Sequence, residues 1–310
     1  MSEREYIPES AERPRAKVSC LGLVVHPTRS IDGVLKELRQ WAGPNQARLV
    51  QVPATYDQQQ VAEEGDAADC DVIVAIGGDG TTLAAIRAGI VARRPVLPVA
   101  CGSLGILTSL AVPALVEAVE RFARGDWVPR SLPALDVTRE PEPPLVAFND
   151  VAIVRAGVGQ ARVTAEVDGQ LFARIAGDGC IVSTPLGSSA YALAAGGPLL
   201  DPEMDALLIT PLAPHGGSCP PFAVRANSVV RLDPAMTYGG ARLEVDGQVT
   251  DKVRGPVTIS FRAGVATLVG FRDQEPFLAV LRQRQIIIDS PRVLAEEARR
   301  ASIAGPRPAR

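Results

Sequence analysis

The chain has 310 residues, of which 46% are hydrophobic, so it is long enough to form two packed domains and to bury a sizeable core. Its formal net charge of -3 indicates neither a nucleic-acid partner nor a membrane partner. Five scattered cysteines without a CxxC pair, and only two histidines, argue against a disulfide framework and a zinc or multi-histidine site; they are typical of reduced thiols in a cytoplasmic protein.

The first half of the chain alternates strand-like and helix-like segments. Short apolar runs predict strands at residues 20–25, 47–52, 71–76 and 95–100. Apolar residues at helical spacing predict helices at residues 31–41, 81–92 and 113–124. This alternation predicts a parallel sheet covered by helices on both faces. The uncharged stretch 95–116 is broken by prolines and glycines, so we expect a strand, a loop and a helix start there and no membrane span.

After about residue 130 the segments become short, rich in Val, Ile and Thr, and bounded by turn residues. They predict a mainly antiparallel β domain with one helical insert near residues 188–195. The sequence VDGQ occurs twice, at 167–170 and 245–248, and Asp-Gly between alternating segments predicts a type I′ hairpin at each. The expected fold class is therefore an α/β N-terminal domain with a parallel sheet, followed by a mainly antiparallel β domain.

These patterns predict four parts of the chain. Residues 1–15 form a mobile tail, 16–128 the α/β domain, and 129–272 a β-rich substrate-binding domain. Residues 273–310 contain a helix at 277–284 that returns to the first domain, followed by a second mobile tail from about residue 291.

The segment GGDGT at residues 77–81 joins a predicted buried strand to a helix. Backbone N–H groups at a helix N-terminus bind phosphate oxygens, and glycines let a phosphate approach closely. The segment is neither a Walker A loop nor a dinucleotide fingerprint, and its distinctive residue is Asp79. A carboxylate there can deprotonate a hydroxyl that attacks a phosphoryl group or help hold Mg²⁺; the alternative is an Asp that only caps the helix.

Three further stretches have the composition of ligand-binding loops. They are ACGSLGILTS at residues 100–109, FNDVAIV at 148–154 and GDGCIVSTPLGSSAYALAAGG at 177–197. The first follows the next strand and should open at the same sheet edge as GGDGT. Asn149 and Asp150 can serve one ligand only if a turn or bulge interrupts their strand.

Taken in order, GGDGT, SLGILT, FND, GDGCIVSTPLGSSAY, ITPLAPH and DGQ resemble the NAD kinase family. GGDGT alone is shared with diacylglycerol and sphingosine kinases, whereas the GDGCIVSTPLGSSAY segment followed by ITPLAPH is highly specific. The resemblance extends from about residue 72 to 270. It implies transfer of the ATP γ-phosphate to the 2′-hydroxyl of the adenosine ribose of NAD, with a divalent metal, Mg²⁺. It also implies a homodimer or homotetramer.

The resemblance assigns roles to individual positions. Asp79 matches the proton acceptor, and Asn149 with Asp150 matches the pair that holds the adenosine part of NAD. No direct protein ligand to the metal is expected. The other positions that it implies in substrate or nucleotide binding are Gly78, Gly80, Thr81, Asp178, Ser189, Ala190, Tyr191, Ala194, Ala213 and Gln248.

Several positions depart from the family pattern and leave the acceptor open. Polar or charged groups of the family are lost at Ala84, Ala100, Leu186 and Pro220, Ile106 replaces a Phe, and Asp150 replaces a Glu that is one methylene longer. A site that recognises a dinucleotide through polar contacts is weakened when such groups are removed. The alternatives are a kinase of the same fold that phosphorylates another ribose-bearing or hydroxylated metabolite, and a non-catalytic NAD- or NADP-binding protein. NADH as acceptor and polyphosphate as donor also stay open.

Overall fold

The structure is a computed structural model that describes residues 17–102, 105–108, 110–235 and 240–304. The tail predicted at residues 1–15 lies outside the described residues. The chain divides into two compact units. Unit 1 takes the chain up to Ala85, Leu97–Val128 and the chain from Gly270 onward, and unit 2 takes Ile86–Val96 and Pro129–Val269.

Strands and helices follow one another in an order that changes character near residue 128. The helices are α1 (Asp32–Asn45), α2 (Asp79–Ala92), α3 (Leu115–Arg124), α4 (Tyr191–Ala194), α5 (Phe277–Gln283) and α6 (Pro291–Ala304). The strands are β1 (Cys20–Val25), β2 (Arg48–Gln51), β3 (Val72–Gly77), β4 (Val96–Ala100), β5 (Leu110–Ala111), β6 (Val128–Thr138), β7 (Leu145–Ala147), β8 (Asp150–Arg155), β9 (Ala161–Val167), β10 (Gln170–Gly177), β11 (Gly179–Ser183), β12 (Ala206–Leu212), β13 (Phe222–Arg225), β14 (Val229–Pro234), β15 (Ala241–Val245), β16 (Gln248–Val253) and β17 (Val257–Gly270).

Unit 1 is built on strands in the order β4-β3-β1-β2. Strand β1 pairs in parallel with both β2 and β3, so the predicted parallel sheet is confirmed. Every residue of β1 and β3 is buried, as expected for strands that are covered on both faces. The connection from β1 to β2 and the connection from β3 to β4 run in opposite directions along the sheet. The carboxyl ends of β1 and β3 therefore lie at a topological switch point, where open α/β sheets bind ligands.

The side chain of Arg121, in α3, contacts the segment of unit 1 that follows β17. Arg121 donates to the Asp273 carboxylate at 2.8 Å, and its guanidinium lies 4.3 Å from the centre of the Phe271 ring. This combination of an ion pair and a cation–π contact holds the chain where it leaves β17 and leads into α5.

Unit 2 is a sandwich of antiparallel pairs. One sheet has the order β13-β12-β11-β8-β15-β16, and β10-β9-β14-β17 run side by side in the other. Alternate residues of both sheets, such as Val151, Ile153, Val163 and Ile259, meet in one apolar core. Both VDGQ segments form the predicted hairpins, because their Asp and Gly residues have positive φ angles between β9 and β10 and between β15 and β16.

The structure corrects some predicted elements. Within the tail predicted from residue 291, residues 291–304 form helix α6. Its sequence after Pro291 is rich in strong helix formers, proline is favoured at a first helical position, and Arg292 and Glu296 pair one turn apart. Residues 257–270 form one long strand, although the segments after residue 130 are predicted to be short. Helix α2 begins at Asp79, two residues earlier than predicted.

The uncharged stretch from residue 95 to 116 forms β4, a short helical turn at Val112–Ala114 and the start of α3, as predicted. Among the described residues, no helix is both long enough and apolar enough to cross a bilayer.

The close packing of β11 between β8 and β12 leads to a test of the sandwich. Gly179 has a φ of 150°, and a Cβ added there would collide with the Ile153 carbonyl oxygen and lie 3.1 Å from the Val154 Cα. Because backbone atoms cannot move aside, Gly179→Ala should lower the free energy of unfolding by about 3 kcal/mol. Urea denaturation measures this, with Gly255→Ala as the control, since a Cβ at Gly255 meets no heavy atom within 4 Å. Equal losses in the two variants would contradict the packing argument.

Candidate functional site

Asp79 stands at the first position of α2, directly after the buried strand β3. Its carboxylate does not cap its own helix. The Oδ2 atom accepts the Ile106 N–H at 3.0 Å, and Oδ1 accepts the Leu107 N–H at 3.0 Å. The side chain stays 30% exposed, so oxygen lone pairs remain accessible to a ligand. Asp79 thus orients the second glycine-containing loop and still presents an acceptor to solvent.

Gly105 makes this contact possible. Its N–H donates to the Thr108 hydroxyl at 2.6 Å, and a Cβ at position 105 would collide with both Asp79 Oδ1 and Thr108 Oγ1. A larger residue would therefore push the Asp79 carboxylate out of place.

The other glycines of the GGDGT segment differ in what they do. A Cβ at Gly77 would overlap the Thr81 side chain, so this glycine lets helix and strand pack closely. A Cβ at Gly78 or Gly80 would meet no heavy atom within 4 Å. Because protein packing does not require glycine at these two positions, they leave open space where a phosphate can approach the main chain.

Thr81 is expected to bind a ligand, but its side chain is buried. It is 4% exposed, packs against Gly77, and its hydroxyl hydrogen-bonds to the Tyr56 phenol. Tyr56 in turn donates to the Val25 carbonyl at 3.0 Å. The Thr81 side chain therefore belongs to the packed interior, and only its main chain is available to a ligand.

Two cations lie at this sheet edge that no sequence motif marked. Arg284, just after α5, has its Nη1 atom 3.7 Å from Asp79 Oδ2. Arg29, in the loop after β1, donates to the Cys101 carbonyl. Burial, and next the charge of Arg29, lowers the pKa of His26, whose Nδ1 accepts the N–H groups of Thr28 and Arg29. Phosphate-bearing ligands at this edge would therefore meet positive charge as well as main-chain N–H groups.

In unit 2, Asn149 lies in a bend and Asp150 begins β8, so the interruption that both side chains needed is present. Asp150 is 3% exposed and accepts the Tyr191 N–H. Burial, reinforced by the negative charge of Asp246, raises the pKa of Asp150 to about 7. A carboxyl group that is buried and yet ionises near neutral pH is typical of a functional site.

Asp246, in the second VDGQ turn, is the residue that organises this bend. Its side chain is fully buried and accepts the N–H groups of Phe148 at 3.0 Å and Asn149 at 2.6 Å, and that of Asp150 at 3.3 Å. Its Oδ2 atom also pairs with Arg87 Nη2 at 2.6 Å. The DGQ motif had pointed to Gln248 in place of Asp246. The sequence feature that could have marked Arg87 is that it is the one cation of helix α2.

The predicted nucleotide-pocket residues after β11 form a short helical turn at Leu186–Ser189 and then α4. The Ser189 hydroxyl donates to the Leu186 carbonyl at 2.8 Å, so it stabilises the turn. Ala190 and Ala194 are exposed, and Tyr191 is 36% exposed beside them. Burial, and next the charge of Glu244, raises the pKa of Tyr191. This side of α4 thus offers small side chains and one aromatic ring.

The remaining predicted positions are not all brought together. Asp178 precedes β11 and forms a half-exposed ion pair with Arg155 at 2.7 Å, and its N–H bonds to Leu212, next to Ala213. Asp150 pairs with Ser183, at the other end of β11, which is about 16 Å from Asp178 at 3.3 Å per residue. Within unit 2, Asp178 and Ala213 therefore lie apart from Asp150. Gln248 is exposed at the start of β16, directly after the turn that contains Asp246.

The departures from the family pattern are mostly in the interior. Ala84, Ala100, Ile106 and Leu186 are each at most 8% exposed, whereas Pro220 is exposed. Apolar side chains suit these buried positions. Leu186 in particular lies in the packed interior.

The described residues contain no group of three or more His, Cys, Asp or Glu side chains that could hold a metal ion. Asp79 is a single carboxylate beside open space, and one carboxylate fits the habit of Mg²⁺, which keeps several waters and binds substrate phosphates.

Two family models match the chain. The ATP-NAD kinase N-terminal domain matches residues 21–127, and the ATP-NAD kinase C-terminal domain matches residues 148–269. Among curated relatives, an NAD kinase from Solibacter usitatus is 34% identical over 223 residues, which cover 69% of this chain and 77% of the relative. An NAD kinase from Clostridium perfringens is 28% identical over 262 residues, which cover 83% and 92%.

Two solved structures share the fold. Yeast NADH kinase complexed with NADH has a TM-score of 0.74 at 19% identity, with 88% of this chain and 89% of that chain covered. An NAD kinase from Archaeoglobus fulgidus in complex with ATP has a TM-score of 0.68 at 23% identity, with 87% and 100% covered.

The raised pKa of Asp150 predicts a pH-dependent stability. In the unfolded chain this carboxyl loses its proton near its ordinary value of 3.8, but in the fold only near 7. The fold therefore binds more protons between these values, and the free energy of unfolding falls as pH rises through this window. From pH 5 to 8, wild type should lose about 2 kcal/mol that Asp150→Asn does not lose.

Urea denaturation at both pH values measures this difference. Asp168→Asn is the control, because that exposed carboxyl has a lowered pKa and titrates below this window. A wild-type pH dependence in Asp150→Asn would contradict the assignment.

Proposed function

This chain belongs to the NAD kinase family, and we propose that it transfers the γ-phosphate of ATP to the 2′-hydroxyl of the adenosine ribose of NAD, giving NADP. It is a phosphotransferase that acts on a hydroxyl group. The observation that supports the chemistry best is the Asp79 carboxylate, which is held by two main-chain N–H groups beside the open space at Gly78 and Gly80.

We propose that Asp79 accepts the proton of the attacking ribose hydroxyl. A ribose hydroxyl is a poor nucleophile because its pKa is high, so an oriented carboxylate lowers the barrier as the new O–P bond forms. The Ile106 and Leu107 N–H groups fix the direction in which the carboxylate points. The 30% exposure of Asp79 leaves it within reach of a substrate hydroxyl.

The phosphates of ATP would lie over the main chain at Gly78 and Gly80, where the N-terminus of α2 favours negative charge. Mg²⁺ bound to these phosphates would neutralise part of their charge, and Asp79 is the carboxylate that this loop offers to its hydration shell. Arg284, near Asp79, adds a positive charge to the same region.

For NAD, we propose that Asn149 and Asp150 hold the adenosine part. Ionised Asp150 offers only acceptor atoms, which suits the hydroxyl groups of a ribose. Because Asp150 is nearly fully buried and bonded to the Tyr191 N–H, its orientation is fixed before substrate binds. The small exposed residues Ala190 and Ala194, with Tyr191, offer a surface for a flat ring.

We further propose that the enzyme works in the cytoplasm as a homodimer or homotetramer. All five cysteines are free thiols, which supports a reducing compartment. Symmetric closure is the common way in which such chains cover exposed sheet edges.

Removal of the proposed base should separate chemistry from binding. Asp79→Asn keeps the size of the side chain but cannot take a proton, so kcat should fall about a hundredfold while ATP binding changes little. Kinetics and calorimetry measure the two effects. Asp69→Asn, an exposed acid in the same unit, is the control. Turnover near that of wild type in Asp79→Asn would remove Asp79 from the mechanism.

The acceptor and the donor are tested on the wild-type protein. Purified enzyme with Mg²⁺ is incubated with ATP or polyphosphate and with NAD, NADH or a panel of nucleosides, and phosphate transfer is followed directly. We expect ATP and NAD to give the highest kcat/KM. A nucleoside that exceeds NAD would overturn the proposed acceptor, and NADP binding without any turnover would overturn the enzymatic function.

A further inference from the structure

The two VDGQ turns of unit 2 have the same sequence and the same backbone conformation, but one Asp side chain is exposed and the other is buried. Asp168 and Asp246 have φ angles of 52° and 49°, and the glycines that follow have 75° and 74°. Each turn joins two antiparallel strands. The hairpin therefore requires the same backbone conformation of both Asp residues. A difference in the surroundings of their carboxylates reflects another role.

Asp168 is the acid of an ordinary exposed turn. Its carboxylate accepts the Val229 N–H at 2.9 Å and the Ser228 hydroxyl at 3.0 Å, both on the neighbouring strand connection. These hydrogen bonds lower the pKa of Asp168. The VDGQ sequence thus folds into its turn without burying a charge.

The side chain of Asp246, in contrast, is buried. Its carboxylate turns inward and accepts the N–H groups of three consecutive residues, 148–150, which are almost a hundred positions away in the chain. Burial raises the pKa of Asp246, and this effect is opposed first by Arg87 and then by the three N–H groups. Burying a carboxylate is costly, so four donors gathered around one acid mark a part of the fold that is held in a specific shape.

We propose that Asp246 and Arg87 are a positioning pair, which fixes the bend at residues 148–150 and so sets how Asn149 and Asp150 meet the acceptor ribose. The inference rests on the proposed function. Asp246 acts through the main chain of the bend and Arg87 acts through Asp246, so neither residue needs to touch substrate.

The pair also acts on Asp150 electrostatically. Two negatively charged side chains, Asp246 and Glu244, face Asp150. The neutral main-chain N–H of Tyr191 also faces it. Arg87 lies against Asp246 and offsets part of this negative field. Because NAD is expected to bind ionised Asp150, the pH at which KM for NAD improves reports on the pair.

The first test is Asp246→Asn with Asp168→Asn as the matched control, since both variants make the same change in the same turn. Loss of one charge-assisted hydrogen-bond set should raise KM for NAD about tenfold, with KM for ATP unchanged and kcat less affected than KM. Removal of the negative charge should move the pH midpoint of KM for NAD downward. Asp168→Asn should match wild type in all of these measurements.

The second test is Arg87→Gln, which keeps Asp246 and its main-chain bonds. The Arg87 side chain is 23% exposed, so its replacement leaves no large cavity. Loss of the ion pair should loosen the Asp246 carboxylate and raise KM for NAD, with KM for ATP unchanged. A role in stability alone would lower the melting temperature of both variants without changing KM for NAD. If Asp246→Asn fails to fold, Arg87→Gln decides the question.

The outcomes separate the two proposals. If wild type phosphorylates NAD, and folded Asp246→Asn and Arg87→Gln keep the KM for NAD and the pH midpoint of Asp168→Asn, the positioning role is overturned and the proposed function stands. If wild type does not phosphorylate NAD, the proposed function fails and the inference fails with it. A raised KM for NAD in both variants, with KM for ATP unchanged, supports the inference.

Discussion

Each unit has a candidate ligand-binding region that depends on a carboxylate satisfied by main-chain N–H groups of a distant loop. In unit 1, Asp79 accepts from Ile106 and Leu107, and in unit 2, Asp246 accepts from the bend at residues 148–150. A carboxylate has about four acceptor positions and no donor, so it can hold several N–H groups that a loop cannot satisfy by itself. In each unit, one acid therefore gives an irregular segment a fixed shape at the end of a strand.

The two acids differ in whether their acceptor positions remain accessible to a ligand. Asp246 is fully enclosed and paired with Arg87, so its acceptor positions are used within the protein. Asp79 is 30% exposed and lies 3.7 Å from Arg284, so it keeps lone pairs that a ligand can reach. This contrast in burial and pairing supports the proposal that the carboxylate has a positioning role in unit 2 and accepts a proton in unit 1.

Much of the fold was predictable because it depends on local pattern. Continuous apolar runs gave β1 and β3, and Asp-Gly pairs gave both hairpins. The fate of a polar side chain was not predictable in the same way. Asp168 and Asp246 share their local sequence, yet only tertiary partners decide which one is buried. The composition after residue 290 suggested a tail, but helix propensity prevailed in α6.

The departures from the family pattern can now be weighed by where they lie. The buried apolar residues at positions 84, 100, 106 and 186 pack with the interior, so they change the packing there. Asp150 is different, because it keeps its acceptor atoms on a shorter side chain and ionises near neutral pH. A shorter carboxylate can serve the same ribose only if the bend that presents it is held firmly. We propose that Asp246 and Arg87 meet that requirement, and that acceptor choice in this chain therefore depends on the bend as much as on the residues that replace the family's polar groups.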